Sequence, residues 1–353
     1  MRRPSFDFLQ GMIEVPSLSG YEEKVQDYIA THVRPLADEV QRDVHGNLMA
    51  VKQPQGRPRV MLAGHCDEIG FLVRYITSEG LIHFTNVGGV DVNILPARRV
   101  RIHTDKGTVL GVISSKAVHL KDRDKTDKLL LEDLTIDIGV RSRKEAEKLV
   151  GVGDPITYAE GMTRLQGHLV TSRATDDKVG AFVVMEALRL LRGRRFSAAV
   201  YAVSTVQEEI GLRGAVTSAF RIEPEVGIAV DVTHASDQPG VKKSQVGEVK
   251  VGAGPVLHRG ANINPKLGRL MLEVARKKRI PHQLTSEPRA TGTDANVMQL
   301  SRGGVATALI SIPNRYMHTP TEVVSLEDLD NAARLLAEVI CALKPDMSFV
   351  PGS

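Results

Sequence analysis

The stretch STVQEEIGLRGA (204–215) sets two adjacent glutamates, Glu208 and Glu209, just beyond an apolar run, SAAVYAV (197–203), that reads as a buried strand. Neighbouring side chains on a strand point to opposite faces, and a buried carboxylate without a partner is costly. Either the strand has ended and both acids are solvated, or positive charge meets them. Other segments repeat the pattern. RVMLAG (59–64) runs into His65-Cys66-Asp67, VGIAV (226–230) into Asp231, and GVATALISIP (304–313) is followed shortly by His318. Asp176-Asp177 stand directly before the apolar segment KVGAFVVMEALRLLR (178–192). In open α/β sheets, ligands gather at the carboxyl ends of strands. The histidines and acids therefore converge on one edge, and the charge that awaits them is metal. Two imidazoles with several carboxylates suit zinc, cobalt or manganese; an all-oxygen set would suit magnesium or calcium. The acids outnumber the needs of one tetrahedral zinc. Two ions about 3.5–4 Å apart, bridged by a carboxylate, would use the full set.

Each piece alone has a plainer reading. The spacing His65-x-Asp67 puts both side chains on one strand face, where Asp67 can accept the second ring N–H of His65. Asp176 and Asp177 read equally as an N-cap and a first-turn acid of the following helix. Asp231, after five apolar residues, needs a partner. Strand alternation turns Cys66 away from the edge, as a small buried residue. The remaining nine histidines, His258 among them, have no matching context and read as structural or surface residues.

The elements that must position these groups alternate strand and helix, which implies an α/β fold with a sheet flanked by helices. PSLSGYEEKVQDYIATHV reads as a helix with Ser19 and Glu22 in capping-box spacing. SLEDLDNAARLLAEVICALK reads as a closing helix with Ser325 as its N-cap. Residues from about 71 to 164 differ in texture. Short β-like runs (FLVRYI, LIHFTNV, RRVRIHT, GTVLGVIS, LTIDIGV) broken by Gly, Asp and Lys indicate an inserted all-β domain. The charged stretch KDRDKTDKLLLEDL within it is expected to be an exposed loop.

The bulk numbers exclude more than they assign. The chain has 353 residues, 42% hydrophobic and 25% charged, in the range of a globular protein of more than one domain. A net charge of +4 and a pI near 9.0 are weak evidence for a nucleic-acid partner. The basic clusters RGRR (192–195) and RKKR (276–279) fall at helix ends, where cations are favoured in solvent. No nucleic-acid motif accompanies them. The two cysteines, Cys66 and Cys341, form no disulfide framework, so a cytoplasmic location is expected. MRRPSFDFLQGMIEV lacks the apolar core of a secretory leader, and no 18-residue apolar run predicts a membrane span.

Taken together, AGHCDEIGFLV, ATDDKVGAFV, QEEIGLRGA, AVDVT, GTDA and IPNRYMHTPTEVVS stand in the order found in co-catalytic metallopeptidases. The chain resembles metallopeptidase family forty-two, the tetrahedral, deblocking and glutamyl aminopeptidases, over nearly its whole length. The resemblance implies a zinc-peptidase-like catalytic domain (residues 1–70 and 165–353) with an inserted β-barrel or PDZ-like dimerisation domain (71–164). It implies two divalent ions, zinc or cobalt with manganese as a third option. Asp176 would bridge them, His65 and Asp231 would complete one site, and Glu209 and His318 the other. Glu208 would be the general base that takes a proton from the attacking water, and Asp67 would orient His65. Asp294, in a Gly-rich turn, is the candidate for reading the substrate's α-amino group. The activity implied is removal of N-terminal residues from peptides by a homo-oligomer, a dimer or a dodecamer built from dimers. A deacylase or carboxypeptidase on the same fold is the alternative. Where the family often has Asn-Arg after the bridging Asp, this chain has Asp177-Lys178.

Overall fold

A computed structural model describes residues 1–117, 119 and 128–352. Residues 121–127 of the predicted charged loop lie outside the described residues. Two helices, α1 (Arg3–Glu14) and α2 (Glu23–Val33), lead into strands β1 (Glu39–Arg42), β2 (Leu48–Lys52) and β3 (Arg59–His65). Six strands then follow: β4 (Gly70–Ile76), β5 (Ile82–Val87), β6 (Arg99–Thr104), β7 (Gly107–Ile113), β8 (Ile136–Asp137) and β9 (Pro155–Tyr158), with the short helix α3 (Arg143–Ala146) before β9. Next come β10 (Thr163–Arg164), β11 (Leu169–Ser172), α4 (Thr175–Leu191), β12 (Ala199–Thr205), α5 (Arg213–Ile222) and β13 (Val226–His234). The chain closes with α6 (Lys243–Val246), β14 (Val256–Gly260), α7 (Pro265–Lys277), β15 (Gln283–Glu287), α8 (Asp294–Gln299), β16 (Ala306–Asn314), β17 (Glu322–Ser325) and α9 (Leu326–Ala342).

The main sheet has eight strands in the order β1-β2-β12-β3-β13-β16-β14-β15. Its centre, β12, β3, β13 and β16, is all parallel, so these four carboxyl ends share one edge. β2 and β14 join the centre antiparallel, which makes the sheet mixed. The central strands read as continuous apolar runs because helices cover both faces. α4 packs on β3, β12 and β13 and against α9; α5 and α8 pack on each other and on the same strands. Every residue of α4 from Thr175 to Leu188 is buried, as expected of a helix apolar nearly all round. Ser325 caps α9 as read from the sequence, its Oγ accepting from Glu327 N–H at 3.2 Å.

Two local readings change. The Ser19–Glu22 capping box does not form: α2 begins at Glu23, the Glu22 carboxylate accepts from Gly20 N–H, and Ser19 donates instead to Asp67. Asp231 is not at a strand end, because β13 continues three residues further to His234.

The inserted strands close on themselves as a barrel, β4-β5-β8-β7-β6-β9. Its core is separate from that of the main sheet and centres on Phe71, which meets Phe84 and Tyr158 edge-on at 5.0 and 5.6 Å. A three-stranded sheet, β10-β11-β17, packs beside α4. No helix among the described residues is long and apolar enough to cross a membrane.

Candidate metal centre

Parallel order delivers the groups. Pairing between β3 and β13 stops at Ala63 and Ala229, so the two strands separate before His65 and Asp231 are reached. The start of α4 comes close at this point. A Cβ on Gly64 would fall 2.5 Å from Ala181 N and Gly180 C, so only glycine lets the helix approach β3 so closely. Asp176 and Asp177, joined by a cis peptide, depart from helical angles, which makes them an irregular lip on the helix. β12 has ended at Thr205, and Glu208 and Glu209 sit in the turn that follows. The first alternative, solvated acids, is nevertheless wrong for both: Glu208 is 8% exposed and the Glu209 side chain 6%.

Asp176 lies between the two imidazoles. His65 Nε2 is 3.3 Å from its Oδ1, and His318 Nε2 is 3.3 Å from its Oδ2. His65 Nε2 is also 3.7 Å from Glu208 Oε2, and His318 Nε2 is 3.7 Å from Glu209 Oε2. The outer ring nitrogens face acceptors. His65 Nδ1 is 3.2 Å from the Asp67 carbonyl and 3.4 Å from its carboxylate; His318 Nδ1 donates to the Gly89 carbonyl at 2.9 Å. Both rings therefore turn Nε2 inward, as ligating histidines do. Ligand atoms of His65, Asp177 and Asp231 lie within 4.8 Å of one another, and so do those of His65, Asp176 and Glu209. Asp177 was read as a helix acid, and its Oδ1 does accept from Gly180 N–H at 3.1 Å. Its Oδ2 is buried with no hydrogen-bond partner, as is Glu209 Oε1.

The electrostatics call for cations. Burial, reinforced by Asp231, Asp294 and Glu209 against the pull of His65, pushes the Glu208 carboxyl up to about 11. Burial and Asp176 push Asp231 and Glu209 each up to about 8. Asp176 raises His318 to about 9, and Glu208, Asp176 and Asp67 raise His65 well above the usual range despite its burial. Ion-pair partners of the five clustered carboxylates among the described residues are these two histidines alone. Five acids, two imidazoles turned inward and orphaned buried oxygens fit divalent metal.

Two further carboxylates hold the candidate ligands. Asp67 lies beyond the end of β3 instead of on its face. It accepts from Glu208 N–H at 3.0 Å, from Glu209 N–H at 3.2 Å and from Ser19 Oγ. It thus ties the His65 arm to the glutamate turn. Glu322, which lies in the IPNRYMHTPTEVVS stretch but has no role assigned from sequence, does the same for the other arm. Its Oε2 accepts from Thr175 Oγ1 at 2.7 Å and Asp176 N–H at 3.0 Å, and its Oε1 accepts from His318 N–H at 2.9 Å.

A cleft of about 740 Å³ opens beside the cluster and is lined by Asp176, Glu208, Glu209, Asp231 and His318. His258 also lines it, in a chain Glu287···His258···Ser311 with distances of 3.1 and 2.8 Å. Sequence reading left His258 among the structural histidines; only the β14–β16 pairing brings it here. Asp294 is buried beneath this region, its Oδ2 accepting from Thr205 Oγ1 at 2.6 Å, and it is not among the residues lining the cleft. Cys66 is buried in the core, as strand alternation required.

Such a fold, with a carboxylate set between two inward histidines, fits a metallopeptidase. The family described as M42 glutamyl aminopeptidase matches residues 46–335, and the chain belongs to that family. The lysyl aminopeptidase of Pyrococcus furiosus is 41% identical over 98% of this chain and 99% of its own. The TET aminopeptidase of a marine-sediment thaumarchaeote superposes with a TM-score of 0.92 at 37% identity, covering 96% of each chain. The Pyrococcus horikoshii TET1 peptidase, described as assembling into a tetrahedron or a large octahedral shell, has a TM-score of 0.85 at 30% identity, covering 96% of this chain and all of that one.

Proposed function

We propose that this chain is a metal-dependent aminopeptidase that uses two divalent ions, with zinc and cobalt ahead of manganese. Asp176 would be shared between them, with His65 and Asp231 on one side and Glu209 and His318 on the other. Asp177, within ligand distance of Asp231 and His65, backs the first of these sites. The observation that carries the reading is Asp176 held 3.3 Å from both inward imidazole nitrogens, with Glu208 beside it. When bound, the ions supply positive charge that ionises the clustered carboxyls, polarises a peptide carbonyl and makes water acidic. Glu208 then serves as general base toward the attacking water and returns the proton to the leaving amine. Asp67 fixes both His65 and the Glu208 backbone, so base and ligand keep their spacing. Asp294 stays the sequence candidate for the substrate's amino end, although it lies buried against Thr205 and does not line the cleft. Relatives named for tetrahedral shells support a homo-oligomer, with the barrel as its dimerisation unit.

The test strips the metal and reloads zinc or cobalt. One peptide is offered with a free or an acetylated N-terminus, in versions beginning with Lys, Glu and Leu. A ladder shortening from the free N-terminus is expected only with metal. Glu208→Gln should keep the ions and lose about 10²–10⁴-fold in turnover. Removal of the acetyl group alone, or trimming from the C-terminus, would replace this reading with a deacylase or a carboxypeptidase.

A further inference from the structure

The two halves of the site are held differently. His65 sits at the end of a central strand, is 2% exposed, and has Nδ1 against Asp67 of the same domain. Asp231 lies within a central strand and accepts from its neighbour Val232 N–H at 2.7 Å. The groups that position this half, Asp67 with its partners Ser19 and the Glu208–Glu209 turn included, lie outside the barrel strands. His318, by contrast, lies in a loop between β16 and β17, at φ +61°, with its side chain 37% exposed. Its ring is fixed by the Gly89 carbonyl, and Gly89 belongs to the barrel segment between β5 and β6. Its backbone is fixed by Glu322, which also holds Asp176 N–H.

The barrel comes close because two glycines permit it. A Cβ on Gly89 would fall 3.0 Å from His318 Nδ1 and 3.3 Å from its Cε1. Gly88, at φ +77°, would place a Cβ 3.5 Å from Glu209 Cβ and 2.6 Å from Ile69 Cγ2. Both candidate ligands of the second half therefore lie against the Gly88–Gly89 turn. The Nδ1–H donated to Gly89 leaves Nε2 as the ligating nitrogen, a role usually played by a carboxylate or carbonyl of the same site.

We propose that the Glu209–His318 ion site is completed by two positioning groups, the barrel's Gly89 carbonyl and the Glu322 carboxylate, so that the barrel governs occupancy of the second ion and not of the first. This rests on the two-ion reading above. It gives the inserted domain a role inside the reaction centre in addition to any role in assembly. A displaced barrel would leave a chain with one ion, its bridging carboxylate unshared, and no complete site.

The experiment uses the full chain, metal-stripped and titrated with cobalt, with bound ions counted by elemental analysis and followed by cobalt d–d absorbance. Two variants approach the site from different sides. Gly89→Ala puts a methyl against the imidazole. Glu322→Gln must turn an NH₂ toward one of the donors that the carboxylate now accepts from. Circular dichroism and oligomer mass check that each is folded. Wild type should take two ions. Gly89→Ala should bind the first with unchanged affinity and the second about 10–100-fold more weakly; Glu322→Gln, which also loosens the shared Asp176, should weaken the second more than the first. Equal weakening of both ions, or wild-type second-ion affinity in folded Gly89→Ala, overturns the proposal. If Glu322→Gln does not fold, Gly89→Ala alone decides. A wild type that binds fewer than two ions would instead sink the two-ion reading, leaving these contacts as ordinary packing.

Discussion

Glu208 and Glu209 are neighbours in sequence with the same side chain, and their surroundings assign them different work. Glu209 faces His318, and one of its oxygens is buried without a partner; Glu208 faces His65 and is pushed up to about 11 by burial and the neighbouring acids. A carboxyl held neutral cannot accept a proton, so the general base proposed at Glu208 would be latent until divalent charge enters the cluster. The same shifts set the pH response of the ion-free chain. Glu209 and Asp231 titrate near 8 when folded, against about 4 when unfolded. The folded chain thus keeps protons that the unfolded chain releases, and its stability falls as the pH climbs from about 4 through 8. His318, raised to about 9, acts in the same direction: its contribution is full below about 6.5 and is lost as the pH rises through 9. Asp176 is held low, so its stabilisation is constant throughout this window. Metal requires the deprotonated ligands and binds better as the pH rises. The melting temperature of ion-free protein should therefore fall between about pH 6 and about pH 9, while the gap to the zinc-loaded protein widens. Scanning calorimetry at three pH values checks this, and a narrowing gap would contradict the protonation pattern.

At the scale of elements, the loops carrying the ligands are anchored from behind by a buried ionic cluster. Glu68 pairs with Arg173 and, at 3.0 Å, with Lys178, and all three side chains are essentially without solvent. Against burial, which raises it, Arg173 and Lys178 hold the Glu68 carboxyl down to about 2. Arg173 and Lys178 also donate to the carbonyls of Ile13 and Val15, so the end of α1, the segment after β3 and the start of α4 meet at one point. Glu68→Ala would leave two buried cations facing each other, at a cost of about 3–5 kcal/mol. Urea unfolding of the ion-free chain should register that loss, and a change under about 1 kcal/mol would show that water replaces the carboxylate. The parallel core and the strand-end groups were legible in the sequence because apolar runs ending in His or acid are local patterns. Asp231 was legible as a member of the candidate cluster although its strand runs three residues past it. Glu322, His258 and Gly89 were not legible. Each acts through a partner more than fifty residues away in the chain, brought near only by strand pairing or by the seating of the barrel. Ser19 misled for the complementary reason: its spacing to Glu22 satisfies a local rule, but Asp67 offers a buried carboxylate that the helix end cannot match.

For the whole molecule, the barrel is the part whose surface the catalytic chemistry does not explain. β7 alternates cleanly: Gly111 and Ile113 are buried, while Leu110 and Val112 point outward at 67% and 48% exposure. Two large apolar side chains on one outward strand face are unusual on a barrel that has filled its own core, and they suit contact with another copy. Solved structures similar to this chain include a dodecamer and a peptidase described as assembling into a tetrahedron or a large octahedral shell. Lysine at both positions would leave the barrel interior untouched, because neither side chain belongs to its core. Leu110→Lys with Val112→Lys should therefore preserve the circular dichroism spectrum and the ion stoichiometry while lowering the mass found by analytical ultracentrifugation. The Gly88–Gly89 turn reaches His318 from the same domain, so the double variant also separates two routes by which the barrel acts on catalysis. If smaller particles keep both ions and their turnover on short peptides, the barrel supports the centre from within each chain, and assembly adds only enclosure. If the mass is unchanged, β7 is not the contact, and the apolar pair must be accounted for within the single chain.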